Sequence, residues 1–253
     1  MRDYKETPGR YPEDAAKYAS GIGKVNALVA RLQKQGQLPE RFGSATKLSA
    51  EAVSPEDLLR QHMYDLLSRA VNPTKDEKRE LGEKRGLVFL PIVTKSYREL
   101  VTANPKHYLW GDRGYANVRP ELRDYRPLVA VEVGFIESEL VLPDSFLKSR
   151  YAALQMITDY SRDEIAADFP AFQAIGLPAT GYASADETYA QRNPGQVLFK
   201  EETAWCLDNL LDGDAANAGR GTSDGRFGAY GWYPHDGNPT IGGAPAVVKI
   251  GTK

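Results

Sequence analysis

The chain has few of the residues that form disulfides or bind metals. Its 253 residues include one cysteine and three histidines. A single cysteine forms neither an internal disulfide nor a cysteine-rich zinc site. The histidines lack the paired spacing of a metal-binding helix. The sequence therefore predicts no metal and no cofactor. Its cysteine content favours a reducing, cytoplasmic-type location, or assembly into a particle made inside the cell.

Long apolar runs and an excess of one charge are also missing. A helix needs about 20 apolar residues to cross a bilayer, and no segment approaches that length, which predicts no membrane span. The first residues, MRDYKETPGRYPED, lack the apolar core of a secretory signal. The chain has 32 basic and 34 acidic residues, for a net charge of −2. This balance disfavours nucleic-acid binding, because phosphate recognition depends on positive charge.

The first third of the chain has the signals of helices. Four apolar residues share one face at helical spacing: Val25, Leu28, Val29 and Leu32. Residues 54–57 (SPED) combine a capping serine, a first-turn proline and two acidic residues, which is typical of a helix start. Thr74 and Glu77 have the spacing of a capping box. We therefore expect residues 1–85 to form a helical, partly extended N-terminal region.

Short apolar runs of strand length follow. Residues 87–93 (LVFLPIV) and 128–135 (LVAVEVGF) are two of them, and Pro91 places the first at a sheet edge or a bulge. Between them, Ser96 and Glu99 have the spacing of a second capping box. Strands and helices are interspersed without regular βαβ units, which favours an α+β fold.

Residues 86–253 are expected to form the α+β domain. It would contain a small mixed or antiparallel sheet with flanking helices. Within it, residues 202–211 are predicted to form an amphipathic helix. Residues 212–244 are rich in glycine and tyrosine and show no apolar period, so they are predicted to form a long loop. Loops of this length in compact domains are usually functional or mobile.

One set of residues in this domain allows a catalytic interpretation. A cysteine nucleophile needs a base that holds it as thiolate and a residue that orients the base. Cys206, His235 and Asn238 supply these types, with Asp236 as an alternative to Asn238. A cysteine-type hydrolase is therefore one alternative. The apolar surroundings of Cys206 favour instead an inert, buried thiol.

Two weaker patterns lie in the predicted loop. Residues 221–225 (GTSDG) match G-x-S-x-G but lack the preceding strand and following helix of a nucleophile elbow. Four oxygen-bearing side chains suit calcium yet miss the EF-hand register: Asp212, Asp214, Asn217 and Asp224. A calcium- or carbohydrate-binding module formed by residues 212–238 is the second alternative.

Aromatic residues give the strongest indication of function. The chain has 14 tyrosines and 3 tryptophans, and several of them fall in loop-like segments: Tyr108, Trp110, Tyr115, Tyr230, Trp232 and Tyr233. Such rings are enriched at interfaces, although they also serve as internal packing. Arginines in the stretch 113–126 accompany some of these rings, but neighbouring acidic residues offset their charge. The leading interpretation is a non-catalytic binding or assembly component that contacts a protein partner, or forms a homo-oligomer, through these rings.

Overall fold

The computed structural model describes residues 54–109, 120–127, 129–211, 213–220 and 225–251. The described residues from Pro55 onward belong to one compact unit. They form an α+β fold, which confirms the predicted class. The division of the chain between residues 85 and 86 stays a prediction, and the helix expected at residues 25–32 lies outside the described residues. No helix in the described ranges has the length and apolar character needed to cross a membrane.

The helices begin where local signals favour them. The α-helices are α1 (Pro55–Ser68), α2 (Lys75–Arg85), α3 (Tyr97–Ala103), α4 (Pro120–Arg123), α5 (Arg150–Tyr160) and α6 (Ala179–Arg192). A 3₁₀ turn covers Pro143–Ser145 and a π-helical turn covers Ser161–Ala166. Both predicted capping boxes are confirmed, because the Thr74 and Ser96 hydroxyls accept the backbone N–H groups of Glu77 and Glu99.

The strands form two sheets. They are β1 (Ala70–Val71), β2 (Leu87–Ile92), β3 (Val131–Ile136), β4 (Phe172–Ile175), β5 (Thr203–Asn209), β6 (Ala215–Gly219), β7 (Gly228–Trp232), β8 (Ile241–Gly242) and β9 (Ala246–Ile250). The first sheet is antiparallel, with the order β1-β9-β3-β2 and with β4 also paired to β9. Pro91 lies in β2 at the end of this order, as a strand proline requires.

The second sheet corrects two predictions. Its order is β7-β6-β5-β8, with β5 and β8 parallel and the other pairs antiparallel. Residues 202–211 were predicted to be a helix, but β5 occupies most of this segment. All of its residues except Asn209 are buried, so the alternation that identifies a half-exposed strand is absent. The segment 212–244 contains β6, β7 and β8 instead of being one continuous loop.

Helix α6 connects the two sheets. It packs against β2 of the first sheet and β6 of the second. Most of its residues are buried, and its Tyr182 ring contacts Phe135 and Phe199 edge-on or tilted. Phe199 in turn contacts Phe227, beside β7. A continuous set of rings therefore joins β3, α6 and the second sheet, which fixes the position of β7 and of the residues that follow it.

Candidate functional site

Two exposed rings stand at the end of β7. Trp232 is the last residue of the strand and Tyr233 follows it; they are 39% and 65% exposed. Their ring centroids lie 6.4 Å apart and the ring planes are inclined by 62°. The rings contact each other and also face solvent. Large apolar side chains are normally covered, so an exposed pair is a feature of binding surfaces.

A leucine with an unusual backbone lies on the neighbouring segment. Leu147 has φ 59° and is 65% exposed. This left-handed conformation costs an L-residue about 1–2 kcal/mol. Its N–H donates to the Asn238 carbonyl at 3.1 Å, and the Arg150 N–H donates to the Pro234 carbonyl at 2.9 Å. These two bonds hold residues 147–150 against residues 234–238.

Close backbone approach and a buried tryptophan fix this arrangement. A Cβ atom on Gly237 would lie 2.1 Å from the Leu147 carbonyl oxygen, so only glycine fits there. Beneath the segment, the fully buried Trp205 donates from Nε1 to the Lys148 carbonyl at 3.3 Å. Tyr151, the second residue of α5, is 39% exposed. We refer to Leu147, Tyr151, Trp232 and Tyr233 as the aromatic surface.

The other predicted binding rings lie elsewhere. Tyr108 is fully buried, and its hydroxyl donates to Glu187 Oε2 at 2.7 Å. Tyr230 is half-buried, and its ring covers Gly228 two residues earlier in β7. Trp110 and Tyr115 lie outside the described residues. Of the predicted set, Trp232 and Tyr233 are thus the rings that the structure places at an exposed surface.

The residues of the hydrolase alternative have separate environments. Cys206 lies in β5 with no exposure, and burial raises the pKa of its thiol well above the ordinary value. His235 is exposed in the turn after β7. The Asn238 side chain accepts the Thr240 N–H and hydroxyl at 2.9 and 2.8 Å. Within the described ranges, no hydrogen bond or ion pair joins Cys206 to His235.

The residues of the calcium-type and G-x-S-x-G patterns lie only partly within the described ranges. Asp214 precedes β6, and Asn217 is a buried residue within that strand. Asp212, Asp224 and the Ser223 of the G-x-S-x-G pattern lie outside the described residues. Among the residues that are described, no group of three or more His, Cys, Asp and Glu side chains could hold a metal ion.

A buried polar network was not foreseen from the sequence. Asp186 of α6 has no exposed surface; its Oδ2 lies 2.9 Å from His107 Nε2 and 2.7 Å from an Arg220 guanidinium nitrogen. Its Oδ1 accepts the N–H groups of Leu198 and Phe199, each at 3.0 Å. Burial alone would raise the pKa of Asp186, but the His107 hydrogen bond and the Arg220 charge outweigh it and lower that pKa.

This network connects four segments of the chain. It ties α6, the end of β6 and the residues after α3 to the segment 195–200, which carries the Leu198 and Phe199 amides. The Arg220 guanidinium also donates to the Gly225 carbonyl, which closes the described ends of the β6–β7 connection. Four donors satisfy the Asp186 carboxylate, as a buried charge requires.

Comparison with known proteins adds no relative. The chain matches no family model, and neither the curated proteins nor the solved structures give a significant match.

Proposed function

We propose that the chain is a non-catalytic binding or assembly component that contacts a protein partner through the aromatic surface. The observation that carries this proposal is the exposure of four large apolar side chains on two segments joined by backbone hydrogen bonds. A surface that is already fixed loses little entropy on binding. The left-handed Leu147 supports the same conclusion, since strained residues concentrate at functional sites.

The inclination of the two rings favours a protein over a carbohydrate. Two coplanar rings can stack on successive sugar faces, whereas the Trp232 and Tyr233 planes are inclined by 62°. Inclined rings, with an exposed leucine on the hydrogen-bonded neighbouring segment, form an uneven apolar surface, which suits the side chains of a protein partner. Tryptophan and tyrosine are also the residues most enriched among energetic hot spots of protein interfaces.

The cysteine-hydrolase alternative has less support. A cysteine nucleophile reacts as the thiolate, whereas burial keeps the Cys206 thiol protonated. The proposed orienting residue, Asn238, already accepts two hydrogen bonds from Thr240. The calcium version of the second alternative likewise lacks a described group of ligands.

The test removes both rings and measures association. In the Trp232→Ala/Tyr233→Ala variant we expect at least about tenfold weaker binding, because hot-spot truncations each cost about 2 kcal/mol or more. Sedimentation measures self-association, and affinity capture followed by mass spectrometry identifies proteins that the native chain retains and the variant loses. Val71→Ala is the matched control, since Val71 is 42% exposed on β1 in the other sheet.

The association measurements have one supporting and one contradicting outcome. A second copy or a reproducibly captured protein that is lost with the two rings and kept by the Val71 variant supports the proposal. A native chain that remains monomeric and retains nothing beyond what the double variant retains would contradict it. Thermal unfolding of each variant shows that the fold is intact.

A further inference from the structure

A groove runs between residues 137–146 and residues 195–202. Two cavities of about 430 and 240 Å³ share Glu137, Leu198 and Lys200 in their linings, so they form one continuous groove. We refer to it as the acidic groove. The residues on which the argument depends are Glu137, Glu139, Tyr189, Leu198, Lys200 and Glu202. The groove is distinct from the aromatic surface, and the inference drawn from it does not depend on the function proposed above.

The floor of the groove is apolar. Leu140, Val141 and Leu198 line it and are each 4–5% exposed, and the half-buried Phe146 lines one of its cavities. These side chains belong to the main core or pack against it. An apolar strip at the bottom of a groove favours a ligand that presents apolar groups along one side.

The rim carries an excess of negative charge. Glu137, Glu139 and Glu202 line the groove, and Lys200 is the one cation among the described lining residues. None of these three carboxylates forms an ion pair with a described residue. Elsewhere on the surface such pairs are common: Arg85, for example, contacts both Glu164 and Asp168. Three carboxylates and one ammonium leave a net charge of −2 on the groove lining, at a concave site where a cationic ligand gains most.

Hydrogen bonds set the groove walls in place. The Tyr189 hydroxyl donates to Glu137 Oε1 at 2.9 Å, which orients that carboxylate. On the opposite wall, Asp186 accepts the amides of Leu198 and Phe199, and Asp186 is itself held by His107 and Arg220. The Leu142 N–H donates to the Gly243 carbonyl at 2.9 Å. The groove is thus formed before any ligand binds.

We propose that the acidic groove binds an extended segment of a partner protein in which lysine or arginine alternates with apolar residues. In an extended chain, alternate side chains point to opposite sides. One set packs on the apolar floor, and the other set points back toward the rim carboxylates. Charge complementarity with Glu137, Glu139 and Glu202 supplies the specificity and raises the association rate.

The probe is a fluorescein-labelled peptide of alternating lysine and valine, and its binding to the full chain is followed by fluorescence anisotropy. In the Glu137→Gln/Glu139→Gln/Glu202→Gln variant we expect the affinity for the peptide to fall at least about tenfold. In the native chain we expect the affinity to fall as the salt concentration rises to about 0.15 M. The matched control, Asp76→Asn/Glu80→Gln/Glu83→Gln, removes the same charge from α2 and should leave affinity unchanged. Thermal unfolding checks that both triple variants are folded.

Other peptides and variants decide between occupants. A lysine–serine peptide should bind weakly, because it has nothing to place on the apolar floor. Equal binding of that peptide would overturn the proposal, by showing that positive charge alone determines binding. Equal losses in both triple variants would overturn it as well, by showing nonspecific attraction. Loss of the Trp232 and Tyr233 rings should not change peptide affinity, so this result is independent of the test of the aromatic surface.

Discussion

Two buried aspartates show how strongly the surroundings of a residue determine its charge. Asp186 has four donors, and its pKa is lowered despite burial. Asp208 in β5 accepts the Ala179 N–H at 2.7 Å and a Tyr64 hydroxyl at 3.3 Å. Here burial dominates, and the pKa of Asp208 is raised. The two carboxylates therefore contribute to stability with opposite dependence on pH.

Replacing Asp186 tests this assignment. We expect Asp186→Asn to lower the free energy of unfolding by about 3–5 kcal/mol at pH 7, because His107 and Arg220 lose a buried charged partner. The pKa of Asp186 is lower in the folded chain than in the unfolded chain, where it is about 3.9, so the carboxylate stabilises the fold above about pH 3.9. This contribution is lost as the pH falls through the pKa of the folded state. Urea unfolding at a series of pH values should show the difference between native and variant narrowing below about pH 4.

Asp208→Asn is the matched control, since it replaces another buried aspartate. In the native chain, the pKa of Asp208 is raised by folding. The native chain therefore loses stability as the pH rises from about 3.9, the unfolded pKa, through the pKa of the folded state. The variant lacks this loss, so the cost of Asp208→Asn should shrink as pH rises. Parallel pH curves for the two variants would refute the opposite roles given to the two carboxylates.

At the scale of elements, local signals located the helix starts well. The Thr74 and Ser96 hydroxyls accept amides within one turn, and Pro55 is a first-turn proline, so sequence alone identifies these three helix starts. β5 was misassigned for the opposite reason. Its state depends on β6 and β8, which pair with it from later in the chain. The apolar spacing of Leu207, Leu210 and Leu211 fits a helix equally well until those partners are known.

The correction of β5 changes what is expected of its cysteine. Cys206 lies in β5, beyond the residues that pair with β8 and within the register shift against β6, and its thiol is fully buried. We expect iodoacetamide to modify the folded chain near pH 7.5 at least about a hundredfold more slowly than the urea-unfolded chain, because modification requires opening of the sheet. Mass spectrometry at successive times measures both rates.

His235→Ala provides the control for that measurement. A thiol activated by His235 would react rapidly in the native chain and slow down in this variant. A structural thiol should react at the same slow rate in both. Rapid modification of the native chain that depends on His235 would revive the cysteine-hydrolase interpretation.

The candidate site could be predicted in part. The segment that contains Trp232 and Tyr233 was identified, because rings between turn residues indicate an interface. Burial of a particular ring is set by distant residues, however: Tyr108 is covered through Ala183 and Glu187 of α6. Leu147 was missed because its left-handed backbone and exposure follow from contact with Gly237, 90 residues later in the chain.

For the molecule as a whole, the decisive contacts join residues far apart in sequence. His107, Asp186 and Arg220 come from three different segments, separated by 79 and 34 residues. No local pattern connects them, so the network could not be predicted. It joins α6 to the second sheet, and α6 also packs on β2 of the first sheet. α6 and its buried carboxylate are therefore one connection between the two sheets, beside α1 and α5, which also contact strands of both.

This coupling predicts that the two sheets open together. Native-state hydrogen exchange, read by mass spectrometry on peptides covering β2 and β5, should give opening free energies that agree within about 1 kcal/mol. Asp186→Asn should lower both by the same amount, because it weakens α6, a helix that packs on both sheets. The exposed substitution Asp144→Asn should leave both unchanged. Exchange of β5 well before β2 in the native chain would show that the second sheet unfolds alone, and that α6 does not couple the sheets.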